Sequence, residues 1–310
     1  MQPKKVLSAV LPSSVKTFLK KAIRRSEDLT EQSAKFRRIS SLKSKDFEFW
    51  EENGYLVLPR FFNSKRIEKI SDLIDQTWKD RANKPENFLV IDAFIGTERE
   101  QRVLLKDAPD EARNFPYKLN DLFLEFQEVR DLILDKKLAK ILHDLLEGDP
   151  MACNSLSFER GSQQPAHFDT FYMPPLVPNK MLATWIALED CSLDAGPLIY
   201  YPGSHKLKPY CFSHGGLHAV REEMPQCQRY IQAELEKHDL RPQKFAARAG
   251  DVFIWHAQLL HGGSEINNLK LTRKSIVTHY FRAQEHPGSY ITMGKYRHYQ
   301  NRHHQMPTSS

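Results

Sequence analysis

The chain has 310 residues, 40% of them hydrophobic and 27% charged, a balance that predicts a globular protein with a sizeable core and excludes a disordered or fibrous one. The formal charge of +6 is concentrated in residues 1–45, where twelve Lys/Arg face three Asp/Glu; that surplus of nine leaves the remainder at −3. No run approaches the roughly 18 apolar residues of a membrane span, no signal-like layout opens the chain, and the four scattered cysteines lack any Cys-x-x-Cys, so a cytoplasmic protein with reduced thiols and no zinc knuckle is expected.

Residues 1–45 place Val6, Leu7, Val10, Leu11, Val15, Phe18, Leu19 and Ile23 near helical spacing among Lys16, Lys20, Lys21, Arg24 and Arg25. A basic amphipathic segment of this kind docks on its own body, frays, or makes peripheral contact with an anionic membrane or a partner. Basic residues without aromatic interleaving do not predict a nucleic-acid partner.

From Asp46 to Asn53 a short helix is expected, closed by Gly54, and Tyr55–Pro59 reads as a strand. Ser64 opens a helix to about Arg81 with Ile67, Ile70, Ile74 and Trp78 on one face; 88–94 reads as a strand and 118–147 as one or two helices stopped by Gly148-Asp149-Pro150. The texture then changes to short strands at 154–160, 166–172, 181–189, 197–201, 243–248, 251–256 and 274–282, with a helical insertion inside 206–242. Helices first and strands afterwards predict an α+β domain over 46–290, a sandwich or barrel braced by N-terminal helices. The tail 291–310, with His298, His303 and His304, is expected to be polar and solvated.

Within the strand region, His167-Phe168-Asp169 places an imidazole and a carboxylate on one face of an extended segment. A second histidine from a distant strand would complete two imidazoles and one carboxylate, a set that caps one face of an Fe(II) ion and leaves the others open. Two candidates exist, His256 and His261, which on one continuous strand would face opposite ways.

In order and spacing, His167-Phe168-Asp169, Asp194-Ala195-Gly196-Pro197-Leu198, Tyr201-Pro202-Gly203-Ser204-His205-Lys206, Gly250-Asp251-Val252, Leu260-His261-Gly262 and Arg273 resemble the phytanoyl-CoA dioxygenase family over about residues 46–285. The resemblance implies a cupin-like double-stranded β-helix (jelly roll) and an oxygenase that uses Fe(II), 2-oxoglutarate and O₂ to hydroxylate an organic substrate, releasing succinate and CO₂. Carried over residue by residue, it makes His167, Asp169 and His261 the metal ligands and Arg273 the clamp on the far carboxylate of 2-oxoglutarate, a task that suits a planar guanidinium. Thr184 and Trp185 would border the co-substrate. Many relatives carry a hydroxyl residue two positions after the distal histidine; here that position is Gly263, and Ser264 is the expected substitute. Phe171 and Tyr172, just past the metal pair, are candidates for the substrate pocket, and Asp169 argues against a halogenating offshoot, which needs that coordination place. The expected substrate is a small metabolite or lipid-like molecule. The competing reading is a non-catalytic metal-binding or membrane-docking protein on the same fold.

Overall fold

The computed structural model describes residues 42–83 and 88–307, so the basic segment expected at the N-terminus lies, up to residue 41, outside the described residues. Helix α1 (Ser44–Asn53) ends at Gly54, whose left-handed φ of 76° turns the chain directly into strand β1 (Tyr55–Leu58). Helix α2 (Ser64–Asp80) is capped by Asn63, whose side chain accepts from the Arg66 amide. Then come β2 (Val90–Ala93), β3 (Gln101–Leu104), β4 (Lys118–Asn120) and helices α3 (Leu122–Glu125), α4 (Gln127–Ile133) and α5 (Lys136–Leu146). The strand region holds β5 (Pro150–Phe158), β6 (Met181–Ala187), β7 (Leu198–Tyr200), helix α6 (Met224–Lys237), β8 (Gln243–Phe245), β9 (Val252–His256), β10 (His261–Gly263) and β11 (Ser275–Arg282). Two further strands, β12 (Tyr290–Gly294) and β13 (Arg297–Gln300), follow.

The large sheet runs β1-β9-β6-β11-β5-β4-β2-β3, and a small sheet runs β10-β7-β8. Together they form the jelly roll. Strict alternation explains why β6 and β9 are apolar nearly throughout. Leu182, Ile186, Val252 and Ile254 face the helices and share one buried cluster with Ile70, Trp78, Leu138 and Leu142. Ala183, Trp185, Phe253 and Trp255 face the small sheet and pack with Leu198 and Tyr200. Strands covered on both faces lose the polar half of the pattern. Among the described residues, no helix is long and apolar enough to cross a membrane.

Three expectations are corrected. Residues 118–120 form strand β4 rather than the start of a helix; three residues are too few to separate period 2 from period 3.6. The strand expected over 166–172 is only a bridge, His167 to His261, followed by a single 3₁₀ turn at Asp169–Phe171. The tail is not free in solvent: β13 pairs in parallel with β5 at Met151 and Ala152. Three of its charged or titratable side chains are held by the body, Arg297 on Asp131 at 2.8 Å, Arg302 on Asp121 at 2.7 Å and His304 on Glu125 at 2.8 Å.

Candidate active site

The two sheets meet around His167 and His261, whose backbones exchange hydrogen bonds in both directions, His167 N–H to His261 carbonyl at 2.8 Å and the reverse at 3.1 Å. That pairing sets the rings beside each other, with centroids 4.6 Å apart. His167 Nδ1 lies 2.8 Å from the Pro165 carbonyl and His261 Nδ1 2.9 Å from the Leu259 carbonyl. Carbonyls only accept, so each Nδ1 carries a proton and each Nε2, the atom that offers a lone pair in this tautomer, points inward. Asp169 Oδ1 faces them, 3.8 Å from His167 Nε2 and 3.5 Å from His261 Nε2. One ligand atom from each of the three residues lies within 4.8 Å of the others.

Burial alone would raise the Asp169 pKa, but the facing imidazoles of His261, His279 and His167 hold it well below the usual carboxylate range. Burial, followed by neighbouring His261, pushes His167 down to about 4, so the ring is neutral and able to donate its lone pair. Two inward lone pairs and a carboxylate oxygen repel one another unless a cation lies between them. The donor set therefore fits a divalent metal ion, and its two-histidine, one-carboxylate composition is that of non-haem Fe(II).

A narrow slot of about 70 Å³ adjoins the triad, lined among others by Phe158, Ser162, Trp185, Leu198 and Arg273. Arg273 is 3% exposed and makes no ion pair among the described residues. Its guanidinium lies 5.8 Å from the Phe158 ring and 5.6 Å from the Trp185 ring, and its Nε, like the Trp185 indole N–H, is buried without a hydrogen-bond partner. Burial pushes the guanidinium down to about 10, still charged at neutral pH. A buried cation and a buried N–H, both unpaired in one slot, fit the far carboxylate of a 2-oxo diacid.

The remaining expected residues divide. Thr184, next to Trp185 on β6, turns to the opposite face, where its hydroxyl meets Tyr280 Oη at 3.4 Å, outside the slot. Ser264 donates its hydroxyl to the Pro197 carbonyl at 2.9 Å and does not line the slot either. The reason lies at Gly263: a Cβ there would sit 2.7 Å from Ser162 Oγ and 2.8 Å from the Gln163 amide nitrogen. Ser162 fills that space from the other side and brings a hydroxyl to the slot. Phe171 is buried with Phe168, Phe212 and Leu260 under α6. Tyr172 is half exposed, its ring edge-on to His167 at 5.5 Å. His256 points away from the triad and packs on Trp50 and His205; burial, then the charge of His205, lowers it to about 3.

Three residues that the sequence reading did not single out belong to the site. Trp255 donates its indole N–H to Asp169 Oδ2 at 2.8 Å, leaving Oδ1 for the metal. His279 brings Nε2 to 3.5 Å from Asp169 Oδ1, while its Nδ1 is held 2.6 Å from Asn154 Oδ1. Ser162, on the loop before His167, lines the slot with its hydroxyl. Alternation would have found two of them: Trp255 opposes His256, and His279 shares the parity of Arg273 and Val277.

The model of the family described as phytanoyl-CoA dioxygenase (PhyH) matches residues 50–275. This chain belongs to the phytanoyl-CoA dioxygenase family. It is similar to the peroxisomal phytanoyl-CoA dioxygenase of Mus musculus, 24% identical over 246 residues that cover 75% of this chain and 66% of the mouse protein. The Homo sapiens protein is 25% identical over 257 residues, 77% of this chain and 68% of that one. The chain thus spans about two thirds of the length of these relatives. Solved members of the fold include the non-heme alpha ketoglutarate dependent carbocyclase SnoK from nogalamycin biosynthesis, with a TM-score of 0.58, 17% identity, and coverage of 78% of this chain and 85% of SnoK. EctD from S. alaskensis, solved with 2-oxoglutarate and 5-hydroxyectoine, gives a TM-score of 0.56 at 15% identity, covering 79% of this chain and 78% of EctD. At such identities the likeness is one of fold.

Proposed function

We propose that this family member is an Fe(II)- and 2-oxoglutarate-dependent dioxygenase that hydroxylates a small organic molecule. The observation that carries the reading is the pairing of two unmet demands in adjoining space: a triad of inward-facing donors that needs a cation, and a buried guanidinium that needs an anion.

In this reading His167, Asp169 and His261 hold the iron, and Trp255 orients the carboxylate by occupying its second oxygen. Arg273 and the Trp185 N–H take the far carboxylate of 2-oxoglutarate. When bound, the iron supplies activation of O₂ at the expense of 2-oxoglutarate, giving succinate, CO₂ and a hydroxylated product. Phe158, Leu198 and Val277 wall the slot against water.

The test is anaerobic titration of the protein with Fe(II) and 2-oxoglutarate, following the visible metal-to-ligand charge-transfer band of the chelate. A band in the wild type that is lost in Asp169→Ala and Arg273→Ala supports the reading. Bound iron with no band in the wild type would sink it and favour a metal-binding protein without this co-substrate.

A further inference from the structure

Beyond the slot lies a larger basin of about 530 Å³, which shares Leu156 with it. The basin opens on the inner face of the large sheet, where β4 and β13 both pair with β5 but leave Cys153 to Ser155 between them. On the metal side, Tyr172 sets its edge against His167, and Asn154 holds the ring of His279 that faces Asp169. The floor carries a cross-strand row, Lys118 on β4, Asp92 on β2 and Arg102 on β3. The far wall is Gln300, Arg302 and Gln305, all beyond residue 275, where the family match ends.

The polar groups of this lining fall into two sets. Arg102 and Asp92 are paired through two contacts, 2.6 and 2.9 Å, and Arg302 is fixed between Asp121 Oδ2 at 2.7 Å and the Cys153 carbonyl at 3.1 Å. These groups hold the walls in place. The side-chain amides of Gln300 and Gln305 and the ammonium of Lys118 make no hydrogen bond or ion pair among the described residues. Leu156, Tyr172, Met173 and Phe281 give the basin an apolar side, but an acyl chain laid across the opposite wall would strip water from these amides and the ammonium and return nothing. A solute with its own donors and acceptors meets them instead.

We propose that this basin is the substrate pocket and that it takes a compact polar molecule with hydrogen-bond donors and acceptors, not an acyl chain, with Gln300 and Gln305 as specificity-determining contacts. The proposal rests on the oxygenase reading and adds the substrate class to it. It also places the determinants of specificity in the C-terminal segment, beyond residue 275, where the family match ends.

The test measures labelled CO₂ released from carboxyl-labelled 2-oxoglutarate by the Fe(II)-loaded full chain. Two probes are compared: phytanoyl-CoA, and a metabolite extract freed of thioesters by mild alkali and split into aqueous and organic phases. The aqueous phase is expected to raise turnover above the unstimulated rate, with the other two inactive. In Gln300→Trp, which fills the basin, the amount of aqueous phase needed for half-maximal stimulation is expected to rise about tenfold or more, while the visible Fe(II)–2-oxoglutarate band persists and shows a folded, loaded site. Stimulation by phytanoyl-CoA or the organic phase, stimulation by no probe, or an unchanged response in Gln300→Trp overturns the proposal. A missing band in the wild type would instead be a failure of the oxygenase reading itself.

Discussion

Arg273 makes an unusual demand on the fold, and replacing it with methionine separates two ways of explaining it. If the guanidinium were a structural group, its removal would destabilise the free protein. The structure argues otherwise: among the described residues no carboxylate pairs with Arg273, its Nε is unpartnered, and the rings of Phe158 and Trp185 lie over it. A buried charge in that condition is a cost, which an apolar side chain of similar reach removes at the loss of about 1 kcal/mol of cation–π attraction. Arg273→Met is therefore expected to unfold at the wild-type denaturant midpoint or above it when no iron and no 2-oxoglutarate are present.

With the co-substrate the order reverses. Breaking a buried pair by deleting one member costs about 3–5 kcal/mol, so 2-oxoglutarate affinity should fall by roughly 10²- to 5 × 10³-fold. At a hundred times the wild-type Kd, the ligand stabilises the wild type by about 2.7 kcal/mol, a shift on the order of 5 °C in Tm, and should leave the variant unmoved. Thermal unfolding with Mn(II), with and without 2-oxoglutarate, reads both halves. A variant several kcal/mol less stable in the free state, or one that keeps the ligand-induced shift, refutes the reasoning.

Three further outcomes follow from other contacts. Trp255→Phe keeps the ring but removes the N–H on Asp169 Oδ2, so Mn(II) affinity, read by electron paramagnetic resonance titration, should drop about tenfold or more; unchanged affinity would show that this bond does not orient the ligand. Gly262→Ala would place a Cβ 2.7 Å from the Gln164 carbonyl oxygen and 3.0 Å from the Ala166 nitrogen, both backbone, so a loss of about 1–3 kcal/mol is expected in urea unfolding, and a neutral result would mean that the His167 loop yields freely. Asp135 caps α5 and pairs with Arg66 at 2.7 Å; burial pushes its pKa up, but the Arg66 contact and the Lys137 and Leu138 amides prevail and lower it below 3.8. Asp135→Ala should cost about 1–2 kcal/mol at neutral pH, a gap present in full above 3.8 that narrows as pH falls through the lower folded value; a gap constant with pH would count against the charged cap.

How much of this was legible in the sequence depended on which distances a residue's partners span. Local spacing carried α2, whose Ile67, Ile70, Ile74 and Trp78 are buried as the helical period requires, and the inner strands β6 and β9. The parity argument between His256 and His261 did not apply, because His256 ends β9 in the large sheet and His261 opens β10 in the small one; within β9 it is Trp255, not His256, that turns to the triad. Local spacing failed where polar composition was read as exposure. His298 and His304 are buried because Asp149 and Glu125 reach them from far along the chain, with Thr292 facing His298 across the β12–β13 hairpin, and no local pattern announces the distant partners. The misplacement of Thr184 has a different cause, because the resemblance marks a strand and not a face, and adjacent residues on a strand part ways.

The slot and the basin sharpen the same distinction. The slot is built from short-range signals: a His-x-Asp, a His-Gly-Gly, and an arginine one strand later, each set by the backbone within a few residues. Its chemistry can therefore be carried by short motifs in order. The basin has no motif, because its row of Lys118, Asp92 and Arg102 comes from three strands, and its far wall comes from a terminal strand that returns to β5. Register decides that row: a slip of one residue in β4 would replace Lys118 and Asn120 on the inner face with Leu119, now buried behind the sheet. Short motifs in order can thus mark the co-substrate site while leaving a pocket built from edge strands and a terminal segment unmarked. In this chain the far wall of the proposed pocket is Gln300, Arg302 and Gln305, and polar chemistry at that wall, not the family name, sets the expectation for its substrate.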